Sequence, residues 1–137
     1  MQQQQVQDLM QLVPCPLHVE MPLAEAVDLI LQSGQIGLPV VDNDHRVCGF
    51  LSEHDCIDYL VSGTYHCDSR AKVGEMMFPE PLCTSPHESI IDLVQKMGGD
   101  KPKTWPVVRD GRLVGVISRR QIMQALNAAM KRCRSRV

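Results

Sequence analysis

Two short segments carry side chains whose spacing suits chemistry. Ser52-Glu53-His54-Asp55 sets a hydroxyl and a carboxylate three residues apart, and Ser118-Arg119-Arg120-Gln121 repeats the spacing with an amide in place of the acid. Either segment reads as a helix N-cap followed by its N3 residue, and Ser118-x-x-Gln121 has the composition of a capping box. A carboxylate also offers several lone pairs and no competing donor, so Asp55 can serve a ligand rich in hydroxyls. His54 beside Asp55 is the nearest thing to an acid–base pair. Adjacent helical residues point about 100° apart, however, and do not face each other. No Ser-His-Asp order, paired acids, phosphate-binding glycine loop or metal motif stands out, so the chain reads as non-catalytic. The six cysteines, at 15, 48, 56, 67, 83 and 133, form no Cys-x-x-Cys. His54 with Cys56 and His66 with Cys67 lack structural-zinc spacing, which leaves reduced thiols, with Cys48 as a small core residue.

Charge narrows the partners. Fourteen basic and 16 acidic residues give a net charge of −2, without the basic excess of a dedicated nucleic-acid binder. Lys101, Lys103, Arg109, Arg112, Arg119 and Arg120 cluster late in the chain. A solvated face is the common fate of such charge. Arg119 and Arg120, though, fall in the first turn of the last helix, where cations oppose the macrodipole and a phosphate partner would relieve them. The basic tail, 131–137, suits RNA, an acidic partner, a ligand phosphate or simple solvation. No apolar run approaches a membrane span, and Met1 followed by four glutamines is no secretory signal, so a cytoplasmic protein is expected.

The elements that position these residues come as a repeat. Val6-Gln7-Asp8-Leu9-Met10 matches Val73-Gly74-Glu75-Met76-Met77 at an offset of 67, and Leu38-Pro39-Val40-Val41 matches Trp105-Pro106-Val107-Val108 at the same offset. Gly49-Phe50-Leu51-Ser52 matches Gly115-Val116-Ile117-Ser118 at 66, and Pro22 to Gly34 is matched with Pro86 to Gly98 at 64. The reading is an N-terminal segment and first repeat over 1–62, a polar linker over 63–72, a second repeat over 73–130 and the basic tail. Apolar stripes predict helices, Ala26, Val27, Ile30 and Leu31 in one repeat and Ile90, Ile91, Val94 and Met97 in the other, with Gly34 and Gly98 as C-caps. The hairpin signals are Asp42 to Arg46 and Asp110-Gly111. Second helices follow, with faces Ile57, Leu60, Val61 and Ile122, Met123, Leu126, Met130. An isolated hairpin is marginal in water, so the halves are expected to pack together. Leu9, Met10 and Leu12 form a short start expected to dock on the second half, behind frayed glutamines.

These duplicated motifs resemble the paired CBS domain, or Bateman module, named after cystathionine β-synthase. The likeness rests on Val-x-Asp/Glu-hydrophobic-Met, on Pro-Val-Val and on Gly-hydrophobic-hydrophobic-Ser-x-x-Asp at Gly49 to Asp55, over about residues 6–130. It implies an α+β fold, a stand-alone pair of β-α-β-β-α units related by a pseudo-twofold axis through their small sheets. It also implies an adenosine-containing regulatory ligand: AMP, ADP, ATP, S-adenosylmethionine or NAD. On that resemblance Asp55 receives the ribose hydroxyls, Ser52 lies where a phosphate or hydroxyl oxygen fits, and Ile36, Gly37, Leu38 and Pro39 hold the base. The matching set is Thr104, Trp105, Pro106, Ser118, Arg119, Arg120 and Gln121, with Thr84 near base and ribose. Gln121 departs from the acidic pattern, which favours one occupied cleft. Trp105 reads as core or dimer contact rather than as a stacking platform. The resemblance further implies a homodimer, often energy-sensing, that signals to a regulated protein without turnover; a ligand-free dimerisation module is the alternative.

Overall fold

The computed structural model describes residues 4–66 and 70–135. In chain order the elements are α1 (Val6–Leu9), β1 (Leu17–His18), α2 (Leu23–Ser33), β2 (Gly37–Val41), β3 (Val47–Ser52), α3 (Glu53–His66), α4 (Val73–Met76), β4 (Phe78–Pro79), α5 (Ile90–Lys96), β5 (Thr104–Arg109), β6 (Arg112–Ser118) and α6 (Arg119–Arg134). This is the expected α+β class, two repeats with small sheets. In space the chain forms two compact units. One is Pro14–Pro81; the other joins the chain up to Val13 with the chain from Leu82 onward.

The Pro14–Pro81 unit holds a sheet in the order β1-β2-β3-β4. β1 runs parallel to β2, and β2-β3 and β3-β4 are antiparallel. The β2–β3 hairpin closes because Asp42 Oδ1 accepts the N–H groups of Asp44 at 2.9 Å and Arg46 at 3.0 Å, while His45 adopts φ 64°. Helix α2 turns Leu23, Ala26 and Ile30 inward and ends at Gly34 in the left-handed conformation, as expected of a glycine C-cap. Leu31 leaves the predicted stripe and is 74 % exposed, being one residue, about 100°, beyond Ile30.

The second unit centres on the β5–β6 hairpin, whose Asp110 and Gly111 both take positive φ, 53° and 81°, as a type I′ turn requires. Thr84 bridges Val107 in parallel and Gln11 bridges Val116 in antiparallel fashion. The order Thr84, β5, β6, Gln11 thus reproduces the first sheet with single residues at its flanks. Val6, Ile90, Leu93, Met97, Trp105, Val107, Ile117 and Ile122 form its core.

Each unit is completed by the lead segment of the other repeat. Val6 N–H donates to Glu88 O and Gln7 N–H to Pro86 O, both at 2.9 Å; Val73 N–H donates to Met21 O and Gly74 N–H to Val19 O, also at 2.9 Å. Met10 lies over Gly115 and Met77 over Gly49. The docking of the chain start on the second half is as expected; the reciprocal docking of α4 on the first is an addition. Leu12 is exposed and takes no part. Gln4 O accepts the Ile90 N–H at 2.9 Å and Gln5 bridges Ser89, so these two glutamines are held rather than frayed. Gln2 and Gln3 lie outside the described residues.

Several expected boundaries move. Leu17 pairs with Val40 and Thr84 with Val107, which fixes an offset of 67; α2 and α5 start at Leu23 and Ile90, again 67 apart, so the match at 64 is out of register. α5 has 7 residues where α2 has 11, so a match anchored on Gly34 and Gly98 loses register and falls short of the 67 offset. The inward face of α5 is Ile90 and Leu93, with Met97 at the cap, while Ile91 and Val94 are exposed. The left-handed glycine that follows is Gly99 (φ 68°), not Gly98. α3 runs on to His66, and Ala71 O accepts the Leu23 N–H at 2.9 Å, so both ends of the 63–72 segment are built into structure. Cys67 lies outside the described residues. On α3 Cys56 is buried, with Ile57, Leu60 and Val61 exposed; on α6, Ile122 is buried but Met123 and Met130 are exposed. The basic tail begins inside α6, whose last turn holds Lys131, Arg132 and Arg134, where cations favour the macrodipole. Among the described residues no helix is long and apolar enough to cross a membrane.

Candidate functional site

The strand-to-helix junctions of the two units share one design. In the first, Gly37 opens β2 opposite Ser52, and Glu53 N–H donates to Ile36 O at 2.8 Å. A side chain at 37 would place its Cβ 2.6 Å from Leu51 O and 2.9 Å from Ser52 Cα, so this close approach requires glycine. Ser52 donates from N–H (3.0 Å) and Oγ (2.9 Å) to Asp55 Oδ2, and Asp55 N–H returns a bond to Ser52 Oγ at 3.2 Å. This is a capping box with aspartate at N3. Asp55 Oδ1 has no partner among the described residues. The cap therefore uses one carboxylate oxygen and leaves the other, on a half-buried side chain, available to a donor.

In the second unit Thr104 opens β5 opposite Ser118, and Arg119 N–H donates to Lys103 O at 3.0 Å. Ser118 N–H donates to Gln121 Oε1 at 2.8 Å, its Oγ lies 3.4 Å from the same oxygen, and Gln121 N–H donates to Ser118 Oγ at 3.4 Å. The donors around Oε1 orient the amide, so Nε2 faces away from the cap as a donor.

The structure brings Ile36, Gly37, Ser52 and Asp55 together at one end of the first unit's sheet, and Thr104, Ser118, Arg119 and Gln121 together at the equivalent end of the second unit's own hairpin. Of the groups expected to hold a base, Ile36 O is bonded to Glu53, and Leu38 and Pro39 are buried inside the β2–β3 ladder. Trp105 is 3 % exposed in the core, and its Nε1 donates to Pro102 O at 3.1 Å, which makes it a core residue and not a stacking platform. Pro106 is buried, and its carbonyl accepts the Thr84 N–H at 3.0 Å. Thr84 therefore stands two to three residues along β5 from Thr104, about 7 to 10 Å away, and its hydroxyl bonds to Glu88. It does not join the Ser118–Gln121 end.

Arg119 has a role the sequence did not announce. Its Nη2 donates to Met97 O (2.6 Å), Gly99 O (3.2 Å) and Lys101 O (3.1 Å), fastening the loop that follows α5. The guanidinium opposes the dipole of α6 yet sits at the carbonyl end of α5, where a cation is favourable, so no phosphate is needed to explain it. The only advance signal was a short helix running into Gly98-Gly99, whose carbonyls need donors. Arg120 is exposed. Burial pushes the thiols of Cys56 and Cys83 up, and burial with nearby Asp42 does the same to Cys48, so these thiols stay protonated at neutral pH and are poor nucleophiles. Among the described residues no three His, Cys, Asp or Glu side chains gather as a metal site.

The sequence model of the CBS domain matches residues 6–62 and 73–128. The chain belongs to the CBS domain family. It is a tandem pair, one domain match per repeat. Curated relatives include the CBS domain-containing protein CBSX1, chloroplastic, of Arabidopsis thaliana, 28 % identical over 138 residues and covering 80 % of this chain and 58 % of the relative. The 5′-AMP-activated protein kinase subunit gamma-3 of Homo sapiens is 30 % identical over 113 residues, covering 77 % of this chain and 23 % of that subunit. An uncharacterized 33.4 kDa protein of Thermofilum pendens is 28 % identical, with 35 % of its length covered. The chain thus spans about a quarter to three-fifths of these relatives. Among solved structures, CBSX2 of Arabidopsis thaliana in complex with AMP superposes with TM-score 0.78 at 24 % identity, covering 92 % of this chain and 98 % of that one. The CBS domain pair of MJ0100, in complex with 5′-methylthioadenosine and S-adenosyl-L-methionine, gives 0.80 at 20 % identity, covering 93 % and 98 %. These likenesses establish the fold.

Proposed function

We propose that this CBS pair is a regulatory module that binds an adenosine-containing ligand and acts without turnover. The observation that carries the reading is the divided use of Asp55: Oδ2 closes the cap with Ser52, and Oδ1 is left as an acceptor for a ribose hydroxyl. The AMP of CBSX2 and the 5′-methylthioadenosine and S-adenosyl-L-methionine of MJ0100 share the adenosine that such an acceptor suits. Gly37 beside it allows close approach to the main chain, and Ser52 and exposed Ile36 border the same end. The ligand would shift the balance between conformations that a regulated protein reads, as an energy sensor does. We also assign a homodimer, supported by the exposed apolar side chains Leu31, Ile57 and Val61 on one pair of helices and Ile91, Met123 and Met130 on the other. A cytoplasmic setting agrees with free thiols at Cys15, Cys48, Cys56, Cys83 and Cys133.

Thermal unfolding of ligand-stripped protein with AMP, ADP, ATP, S-adenosylmethionine and NAD tests the reading. A ligand present at about 100 times its Kd stabilises the fold by roughly 2.7 kcal/mol. At this chain length that is a shift on the order of 10 °C. No shift with any of the five would favour a ligand-free dimerisation module instead.

A further inference from the structure

The helices of the two units leave apolar side chains exposed on faces of opposite charge. α2 and α3 carry Glu25, Asp28, Glu53, Asp55 and Asp58 and no Lys or Arg. α5 and α6 carry Lys96, Arg119, Arg120, Lys131, Arg132 and Arg134 against one acid, Asp92. Lys96 is spent on Glu88 and Arg119 on the loop carbonyls. Arg120, Lys131, Arg132 and Arg134, and on the other helices Glu25, Asp28, Glu53 and Asp58, are exposed and form no ion pair among the described residues. Along α6, Arg120, Met123, Asn127, Met130 and Arg134 recur at helical spacing, so one exposed face holds two thioethers between two guanidiniums. A groove of about 540 Å³, lined by Val94, Met97, Met123 and Leu126, opens beside it. The matching face of α3 is Ile57 and Val61, edged by Glu53 and Asp58, and on α2 the exposed Leu31 stands one turn from Asp28.

We infer that the basic, apolar α5–α6 face docks a second copy of this chain, and that it takes the acidic α2–α3 face of that copy rather than the copy's own α5–α6 face. Pairing like faces would set guanidinium against guanidinium in one contact and carboxylate against carboxylate in the other, which opposes association. Pairing unlike faces brings the acids of α2 and α3 toward Arg120 and Arg134, while Leu31, Ile57 and Val61 cover Val94, Met123 and Met130. The apolar side chains supply the area and the charges choose which faces meet. The net charge of −2 conceals this segregation, because the acids of one repeat nearly cancel the cations of the other. The inference rests on the homodimer reading above and deepens it by naming the surfaces that pair.

The test is sedimentation of the full chain and three variants between about 0.05 and 0.5 M salt. The basic-face variant is Arg120→Glu with Arg134→Glu, the acidic-face variant is Asp28→Lys with Asp58→Lys, and the third combines all four substitutions. The natural chain should form a dimer whose Kd rises with salt, since attraction between exposed charges is screened. Each single-face variant sets like charge across the contact and should raise Kd about tenfold or more, and the combined variant should return to within about threefold of the natural value. That return also shows that the substituted chain still folds. Single-face variants that dimerise as tightly as the natural chain, a Kd that falls with salt, or a combined variant no tighter than its parents would overturn the inference. In each of those cases the natural chain still dimerises and the homodimer reading stands. A natural chain that stays monomeric at every concentration removes that reading, and the inference with it.

Discussion

A single methyl group added at Gly115 or at Gly49 should have unequal consequences, although the two glycines are equivalent in the repeat. At Gly115 the new Cβ would lie 2.7 Å from the backbone oxygen of Gln11 and 3.1 Å from Met10 Sδ. Gln11 and Val116 exchange two backbone hydrogen bonds of 2.8 Å, so relief requires the lead segment to retreat from β6. Two such bonds contribute about 0.5 to 1.5 kcal/mol each, and overfilling a close contact costs roughly 1 to 3 kcal/mol. Gly115→Ala should therefore lose about 2 to 3 kcal/mol. At Gly49 the obstacle is the side chain of Met77 alone, whose Sδ is the atom nearest the added one and whose Cγ lies 2.9 Å from it. Methionine has three rotors and can swing aside, so Gly49→Ala should cost less than about 1 kcal/mol. With an unfolding entropy of about 2.1 cal/mol/K per residue, 1 kcal/mol corresponds to about 3.5 °C in a chain of 137 residues. Calorimetry should then show a drop of about 7 to 10 °C for Gly115→Ala and under about 4 °C for Gly49→Ala. Equal losses, or a larger loss at Gly49, would refute the argument that backbone blocks the first site and a flexible side chain the second.

Three other outcomes are expected. Arg119→Ala removes the donor to three loop carbonyls and should lower stability by about 1 to 2 kcal/mol, with faster hydrogen exchange over residues 98–103; unchanged exchange there would contradict the fastening role. Asp55→Ala should cost about 1 kcal/mol by stripping the cap, while Asp55→Asn should fold normally, because Gln121 shows that an amide oxygen closes the same box; urea midpoints of the two variants decide this. Because the thiols of Cys48, Cys56 and Cys83 are held above their usual range, the native state keeps protons that the unfolded chain has lost, and stability must fall as pH rises through about 8.5 and beyond. A urea midpoint that rises between pH 7.5 and 9.5 would contradict that sign.

Much of this was written in local sequence, and the rest depended on where the chain goes. Asp110-Gly111 announced its turn because few residues tolerate two successive positive φ values, and Gly34 its helix end for the same reason. The strand pairs were legible from short apolar runs around turn signals. Helix faces were less so. A stripe of four apolar residues does not say which edge is inward, and Leu31, Ile57, Ile91 and Met123 point out of the core while Cys56 points in. The 64 offset failed because a glycine marks a helix end without reporting its length, and α5 is shorter than α2. The reciprocal docking of α4 was not legible, since both repeats offer the same glycine-bearing strand to either methionine. At the site, the Ser-x-x-Asp spacing predicted cap and ligand as rivals. The geometry lets one carboxylate serve both, an outcome that depends on which oxygen faces Ser52 and that no spacing encodes.

The most direct test of the central claim is calorimetric titration of AMP and 2′-deoxy-AMP into the protein and into Asp55→Asn. If Asp55 holds the ribose, AMP binds the natural chain, and the variant binds it about ten- to hundredfold more weakly, a loss of about 1.4 to 2.8 kcal/mol. The deoxy compound should be weakened in the natural chain but lose little more in the variant. AMP binding that is equally tight in Asp55→Asn would mean that Asp55 is a helix cap and nothing else.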